Sequence, residues 1–278
     1  MRRPYLLNGL AGATALVIAS AHFVPGSARP GKVLSAAPVL AAVPSVTELA
    51  GLGTENGLAD ARVTVRTRTA LAAFRKTVRP LSHPEALETA FTSYFAYLSK
   101  NPDKVKKPYL YFVDYGLPMT KPRGYVFDME ALRVVDGPFA VAHGSGSGTT
   151  RDGKPARFSN RHGSNATSLG LYLAQELYTF HGKMAGRPYR AVGLRMTGLS
   201  GEYNSNARSR RVVAHGAPYV TDTRAGRSQG CPALEPSRAR HLLPKLADGG
   251  LVFLFAPDEE WMRDDPWIVA GNDVASTE

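Results

Sequence analysis

The sequence predicts a mostly β protein of the β-rich α+β class, and three observations support this. Short segments rich in aromatic and β-branched residues follow one another from residue 109 onward, and turn residues separate them. Only two stretches have the three- and four-residue apolar spacing of a helix. With 44% hydrophobic and 21% charged residues, the 278-residue chain has the composition of a globular protein, which excludes disorder throughout.

The N-terminal segment is predicted to be a signal peptide over residues 1–21. Arg2 and Arg3 precede an apolar run from Leu6 to Ile18, and Ala19-Ser20-Ala21 offers a small-x-small cleavage site. The run is shorter than the roughly 20 residues of a transmembrane helix, so no stable membrane span is expected after cleavage. We therefore expect export to the periplasm or cell envelope. An uncleaved anchor and a twin-arginine signal remain open alternatives.

A flexible tether and then a docking helix are expected ahead of the main domain. Residues 22–80 are rich in Ala, Pro, Val, Thr and Arg and predict the tether. Ser82 and Glu85 have capping-box spacing with Pro84 in the first turn, which predicts a helix within residues 81–105. Its apolar face comprises Leu87, Ala90, Phe91, Tyr94, Phe95 and Leu98.

The main domain is predicted over residues 106–260, with a C-terminal tail over 261–278. A helix is predicted to start near Pro236 and to stop at Gly249-Gly250. The predicted strands are Tyr109–Tyr115, Gly124–Met129, Leu132–Val135, Phe139–Ala142, Leu169–Leu173, Leu177–Phe180, Tyr189–Met196, Arg211–Ala214 and Leu251–Phe255.

Residues 211–234 are the densest candidate for chemistry, because they hold the single cysteine, Cys231. A thiol attacks as its thiolate, and His215 as a base with Arg224 and Arg227 nearby would lower the thiol pKa from about 8.5. Gly230 allows a sharp turn, so that backbone N–H groups near Gly230 and Cys231 can face an oxyanion. From the residues alone, a catalytic thiol and a buried structural cysteine both remain possible.

The same stretch resembles the active-site signature of the L,D-transpeptidases of the YkuD type, in which a His-Gly pair is followed by a spacer and Ser-x-Gly-Cys. Further motifs resemble the murein L,D-transpeptidase catalytic subfamily, in consistent order over residues 108–257. They are V-A-H-G-S-G-S-G at 141–148, F-S-N at 158–160, G-S-N-A-T-S-L-G at 163–170, Gly198-Leu199 with Asn204 and Asn206, and R-S-Q-G-C-P-A-L at 227–234.

The resemblance implies a sandwich-like catalytic domain that acts on peptidoglycan stem peptides without a metal or organic cofactor. Cys231 would attack the acyl group of the third stem residue and release D-alanine, and His215 would activate the thiol. Ser228 and Gly230 would shape the site. The thioester would pass to an amine acceptor, or to water in an L,D-carboxypeptidase.

This sequence has Pro232-Ala233 where many members have Arg or Asn after the cysteine. The donor carboxylate is therefore expected to bind another arginine, since guanidinium forks suit carboxylates. The candidates are Arg208, Arg210, Arg211, Arg224 and Arg227. The residues predicted to bind substrate are Arg227, Arg224, His143 and Gly216.

The charge balance, 34 Lys and Arg against 23 Asp and Glu, favours an anionic partner. Nucleic acid is not expected, because the charge is scattered and no nucleic-acid motif is present; an anionic wall polymer fits better. His162 and His181 lack the spacing of zinc ligands, so no metal is predicted. A non-catalytic wall-binding module remains the alternative from another class, and the oligomeric state is not predicted.

Overall fold

The fold is built on an eight-stranded mixed sheet, in the order β3-β2-β1-β10-β5-β6-β7-β9. A second sheet contains β4 and β8. A computed structural model describes residues 55–272; the predicted signal peptide and residues 22–54 of the predicted tether lie outside them. The strands are β1 Tyr109–Asp114, β2 Gly124–Asp128, β3 Arg133–Phe139, β4 His143–Gly144, β5 Gly170–Met184, β6 Arg187–Gly198, β7 Val213–Gly216, β8 Arg227–Ser228, β9 Ala233–Leu234 and β10 Leu251–Phe255.

The sheet is most buried at its centre, where β1 and β10 pair in parallel. Every residue of β10 and all but the first of β1 are buried. Both strands are continuous apolar or aromatic runs apart from Asp114, as expected where both faces of a strand are covered. The prediction of a strand-rich domain with a helix in front is therefore confirmed.

Five α-helices lie in the described part of the chain: α1 Glu55–Phe74, α2 Ala86–Lys100, α3 Pro236–Leu246, α4 Glu259–Asp264 and α5 Pro266–Asn272. Two short 3₁₀ helices cover Ser145–Ser147 and Gly201–Tyr203. Helix α2 packs against β10, β1 and β5, and α3 packs against β6 and β7. Among the described residues, no helix is both long enough and apolar enough to cross a membrane.

The predicted capping box of α2 is wrong. The helix begins at Ala86, and Glu85 is its N-cap without a side-chain cap. Ser82 instead binds Asp114 at the end of β1: its backbone N–H donates over 2.7 Å and its hydroxyl over 2.6 Å. A buried carboxylate needs hydrogen-bond donors, so this tertiary contact takes the serine away from the helix.

The predicted tether is wrong for residues 55–74, because they form helix α1. Val63, Ala70 and Phe74 are buried, and the Phe74 ring lies 4.7 Å from that of Phe127. The apolar spacing is hard to see in the sequence because the buried position between Val63 and Ala70 is a threonine, Thr67. The helix therefore belongs to the folded core.

Replacing Phe74 by alanine is expected to lower the free energy of unfolding by about 3–5 kcal/mol, because the cavity lies between α1, α2 and β2. Urea titration followed by circular dichroism measures this. Arg75→Ala, on the exposed neighbour, is the matched control and is expected to change stability by less than about 0.5 kcal/mol. Equal effects of the two variants would contradict a packed α1.

The predicted C-terminal tail is likewise wrong for residues 261–272. Trp261 is buried, and its indole N–H donates to Asp265 over 2.9 Å. Asp258 caps α4 by accepting from the Trp261 backbone N–H. The Trp261 ring lies 5.8 Å from the rings of Phe253 and Phe255 on β10, which joins the C-terminal helices to the core.

Several strand predictions differ from the structure in extent. Leu169–Leu173 and Leu177–Phe180 merge into the single strand β5, with a register shift against β6 between Ala174 and Leu177. In place of the predicted strands 132–135 and 139–142, the structure has the single strand β3, Arg133–Phe139. The predicted strand 211–214 is observed two residues later, as β7, Val213–Gly216. The prediction for β10 is confirmed at both ends.

Candidate active site

Cys231 lies in the short loop between β8 and β9, and only 8% of its surface is exposed. Ser228 stabilises this loop through two hydrogen bonds. Its hydroxyl donates to the Cys231 carbonyl over 2.7 Å and accepts from the Gly230 N–H over 3.2 Å. Gly230 has a φ of +114°, and a Cβ there would lie 2.9 Å from the Ala166 carbonyl oxygen. The loop therefore needs glycine at 230 for both conformation and space.

The thiol of Cys231 lies beside the segment of residues 210–213. Its sulfur lies 3.8 Å from the Arg211 carbonyl oxygen and accepts from the Val213 N–H. Burial raises the pKa of Cys231 to about 11, although the Val213 N–H and the Arg210 charge act to lower it. The thiol is therefore protonated at neutral pH.

This result corrects the prediction of a lowered thiol pKa. Desolvation of the thiolate outweighs the favourable contacts. The arginine whose charge lowers the pKa of Cys231 is Arg210, and not Arg224 or Arg227, the two predicted from the sequence. Sequence spacing could not single out Arg210 among its neighbours, because its contacts are with residues more than 40 positions away.

His215 is brought beside the cysteine loop by the parallel pairing of β7 with β9, in which His215 lies opposite Ala233. Cys231, two residues before Ala233, is therefore level with Val213. The His215 Nδ1 lies 2.9 Å from the Gly216 carbonyl oxygen. Because a carbonyl only accepts, Nδ1 carries the ring proton and Nε2 is left as the acceptor.

The imidazole of His215 is held by stacking and by burial. Phe180 of β5 stacks on it with ring centroids 3.8 Å apart and planes at 13°. Burial lowers the pKa of His215 to about 4, while the Gly216 carbonyl opposes this shift. The imidazole of His215 and the thiol of Cys231 are therefore both neutral, a state that suits general-base activation of a thiol. Sequence reasoning missed Phe180, since an aromatic residue on a strand carries no distinguishing signal.

His143 is not available to a substrate, contrary to the sequence prediction. The side chain is fully buried. Its Nδ1 accepts from the Arg123 guanidinium over 3.0 Å, which leaves the proton on Nε2, 3.2 Å from the Gly148 carbonyl oxygen. Burial and the Arg123 charge lower the pKa of His143 to about 4. Both nitrogens are used within the protein.

The other residues predicted to bind substrate differ in their exposure to solvent. Arg227 is exposed on β8, opposite His143 in the pairing with β4. Arg224 is exposed in the preceding turn, where its carbonyl accepts from the Thr221 N–H. Gly216 is buried, and its carbonyl orients His215. The two arginines therefore remain open to a ligand, whereas Gly216 acts through the histidine.

One backbone donor at Cys231 has no partner in the described part of the chain. The Gly230 N–H, predicted to face an oxyanion, is bonded to Ser228. Among residues 55–272 the Cys231 N–H has no acceptor. A donor at the nucleophile's own amide suits an oxyanion that forms on the attacked carbonyl.

The site contains no metal-binding arrangement in the described part of the chain, where no three His, Cys, Asp or Glu residues cluster in a way that could hold an ion. The thiol, the imidazole and the backbone donor are the groups through which the site could act.

Comparison with known protein families shows to which family the chain belongs. A family model described as the L,D-transpeptidase catalytic domain, YkuD_2, matches residues 80–255, which is more than half of the chain. The chain belongs to this L,D-transpeptidase family. The matched region contains Cys231 and His215 and excludes helix α1.

Solved L,D-transpeptidases share low sequence identity with this domain. One from Mycobacterium smegmatis is 15% identical with a TM-score of 0.33, over 54% of this chain and 59% of that one. One from Stackebrandtia nassauensis is 16% identical with a TM-score of 0.33, over 68% and 89%. One from Mycobacterium tuberculosis is 15% identical with a TM-score of 0.31, over 54% and 58%. The chain thus spans less than two thirds of the mycobacterial proteins. Among curated proteins, no sequence matches it.

Proposed function

We propose that this L,D-transpeptidase is a cysteine acyltransferase that acts on peptidoglycan stem peptides, with Cys231 as nucleophile and His215 as base. The observation that carries the proposal is the pairing of β7 with β9, which brings His215 beside the loop of Cys231. Because Nδ1 of His215 is engaged by the Gly216 carbonyl, Nε2, which has no partner among residues 55–272, can accept a proton. Membership in the family supports the stem peptide as the substrate class.

In the proposed acylation, the sulfur attacks the carbonyl carbon of the third stem residue while the thiol proton passes to Nε2 of His215. The Cys231 N–H donates to the developing oxyanion. The bond to D-alanine then breaks, the amine of D-alanine takes the proton from His215, and a thioester remains on Cys231.

In the proposed second half, an acceptor amine attacks the thioester and gives up a proton to His215. The carbon–sulfur bond breaks, and the thiolate takes back that proton. If water attacks instead, the same groups make the enzyme an L,D-carboxypeptidase. Arg227 and Arg224, exposed near the loop of Cys231, are proposed to bind the donor carboxylates.

We also propose that the enzyme is exported to the cell envelope, where such stem peptides occur. The charged start and apolar run of residues 2–18 support this placement.

Intact-mass spectrometry with a tetrapeptide-stem muropeptide tests the reaction, with Cys231→Ala as the matched control. Wild type is expected to gain the mass of the donor less D-alanine, and the alanine variant to gain nothing. The released product distinguishes transfer to an added amine from hydrolysis. No adduct and no D-alanine release from a folded wild type that still binds sacculi would instead support a wall-binding module.

A further inference from the structure

Arg210 makes an unusual set of contacts beside the active site. Its Nη1 donates to the Ser159 carbonyl over 2.8 Å and lies 3.3 Å from the Ser168 hydroxyl. Its Nη2 donates to the Ala166 carbonyl over 2.7 Å and to the Ser164 hydroxyl over 3.1 Å. All four acceptors lie in the loop of residues 159–168, so one guanidinium ties this loop to the chain segment that enters β7.

The same loop and the same segment enclose the nucleophile. The Ala166 carbonyl bonded by Arg210 is the atom that would meet a Cβ at Gly230, and Arg210 Nη2 lies 3.6 Å from that position. From the other side, Arg211 and Val213 contact the sulfur of Cys231. Arg211 has a φ of +58°, which is rare for a residue with a side chain. The segment thus has its unusual backbone conformation at the residue whose carbonyl oxygen lies 3.8 Å from the sulfur.

Arg210 is a half-buried cation without a carboxylate partner in the described part of the chain. Arg208, two residues earlier, is by contrast exposed and paired with Glu176 over 3.2 Å. The groups whose charges act on Arg210 are Tyr172 and Cys231. Burial lowers the pKa of Arg210, although the guanidinium remains charged at any physiological pH.

Burial and, in addition, the charge of a Cys231 thiolate raise the pKa of five nearby phenols, which are neutral at physiological pH. They are Tyr115, Tyr172, Tyr178, Tyr189 and Tyr219. His215 is neutral as well. The charge that lowers the pKa of Cys231 is that of Arg210, so a thiolate formed there would have a group of opposite sign acting on it.

We propose that Arg210 is the positioning residue that provides the counter-charge for the Cys231 thiolate and fixes the 159–168 loop against the nucleophile. The inference rests on the proposed role of Cys231 as nucleophile. It adds to that role a charge supplied from outside the motif that contains the cysteine and the histidine.

The test is the pH dependence of iodoacetamide alkylation, followed by intact mass. Cys231 is the single cysteine of the chain, so the reaction reports on one thiol. Arg210→Gln is expected to move the alkylation midpoint upward by about one pH unit, because an opposite charge nearby favours the ionised form. Arg208→Gln, which loses an exposed ion pair, is the matched control and is expected to leave the midpoint unchanged.

Arg210→Lys separates charge from geometry. A lysine retains the charge but cannot bind four acceptors in a fixed fork. Its midpoint is expected to stay near that of wild type, while acyl-enzyme formation falls at least about tenfold, as expected when a positioned reactant is misaligned.

A wild-type midpoint in folded Arg210→Gln would overturn the proposed counter-charge. If Arg210→Gln does not fold, Arg210→Lys is the deciding variant. An upward shift of its alkylation midpoint by a full pH unit would also overturn the proposed counter-charge, because lysine retains the charge. Alkylation requires no stem peptide. If the alkylation midpoint shifts in Arg210→Gln but wild type forms no acyl-enzyme, the proposed reaction is contradicted. The effect of the Arg210 charge on the Cys231 thiol would still be supported.

Discussion

Replacing His215 by glutamine is expected to slow formation of the acyl-enzyme by about 10²–10⁴-fold, the usual contribution of a general base. Glutamine approximates the size of the imidazole and can bind the Gly216 carbonyl, but it cannot take up a proton. The thiol of Cys231 is protonated at neutral pH, so attack depends on a base at that moment. Single-turnover growth of the adduct mass measures the effect.

His181→Gln is the matched control, because His181 is an exposed histidine on β5, which is separated from β7 by β6. It is expected to react at the wild-type rate. An unchanged rate in His215→Gln would contradict the assignment of the base. The pH profile gives a second check: since the pKa of His215 is about 4, the acid limb of kcat/KM is expected near pH 4 and not near 6.5.

Acid is expected to destabilise the fold through His143 at pH values where ordinary carboxylates are still ionised. The histidine has a pKa near 6.5 when unfolded and about 4 when folded. Its contribution to stability is fully present above about pH 6.5 and is lost as the pH falls towards 4, because the unfolded chain binds the proton first. The loss amounts to about 3 kcal/mol at most. Protonation would place two cations together, since Arg123 donates to His143.

The measurement compares the free energy of unfolding of wild type and of His143→Gln from pH 7 to pH 4. Subtraction is needed because other groups titrate there. The lowered pKa of His215 also makes the protein less stable as the pH falls. The raised pKa values of Asp114 and Asp265 have the opposite effect on the free energy of unfolding. The advantage of wild type is expected to shrink by about 3 kcal/mol at most between pH 6.5 and 4. A constant difference would mean that His143 titrates alike in both states.

The central fold was predictable because its signals are local. The runs that form β1 and β10 are apolar over their whole length, and turn residues bound them. Helix α3 has its apolar face and a proline at its start. By contrast, β8 and β9 have two residues each, too few for any period to appear.

The candidate site was predictable only as far as its motif extends. The spacing of His215 and Cys231 indicates a thiol with a base, and the pairing of β7 with β9 supports that arrangement. The direction of the thiol pKa was not predictable, since it depends on burial by residues distant in sequence. The engagement of His143 by Arg123, 20 positions earlier, is equally a product of tertiary structure.

The burial of Cys231 has a chemical consequence if the protein is exported as we propose. A thiol with a pKa of about 11 is roughly one part in 10⁴ thiolate at pH 7. Oxidants and stray electrophiles attack the thiolate form, so they find almost none of it in the resting enzyme. In the proposed oxidising compartment, an unpaired cysteine of this kind would persist without a disulfide partner.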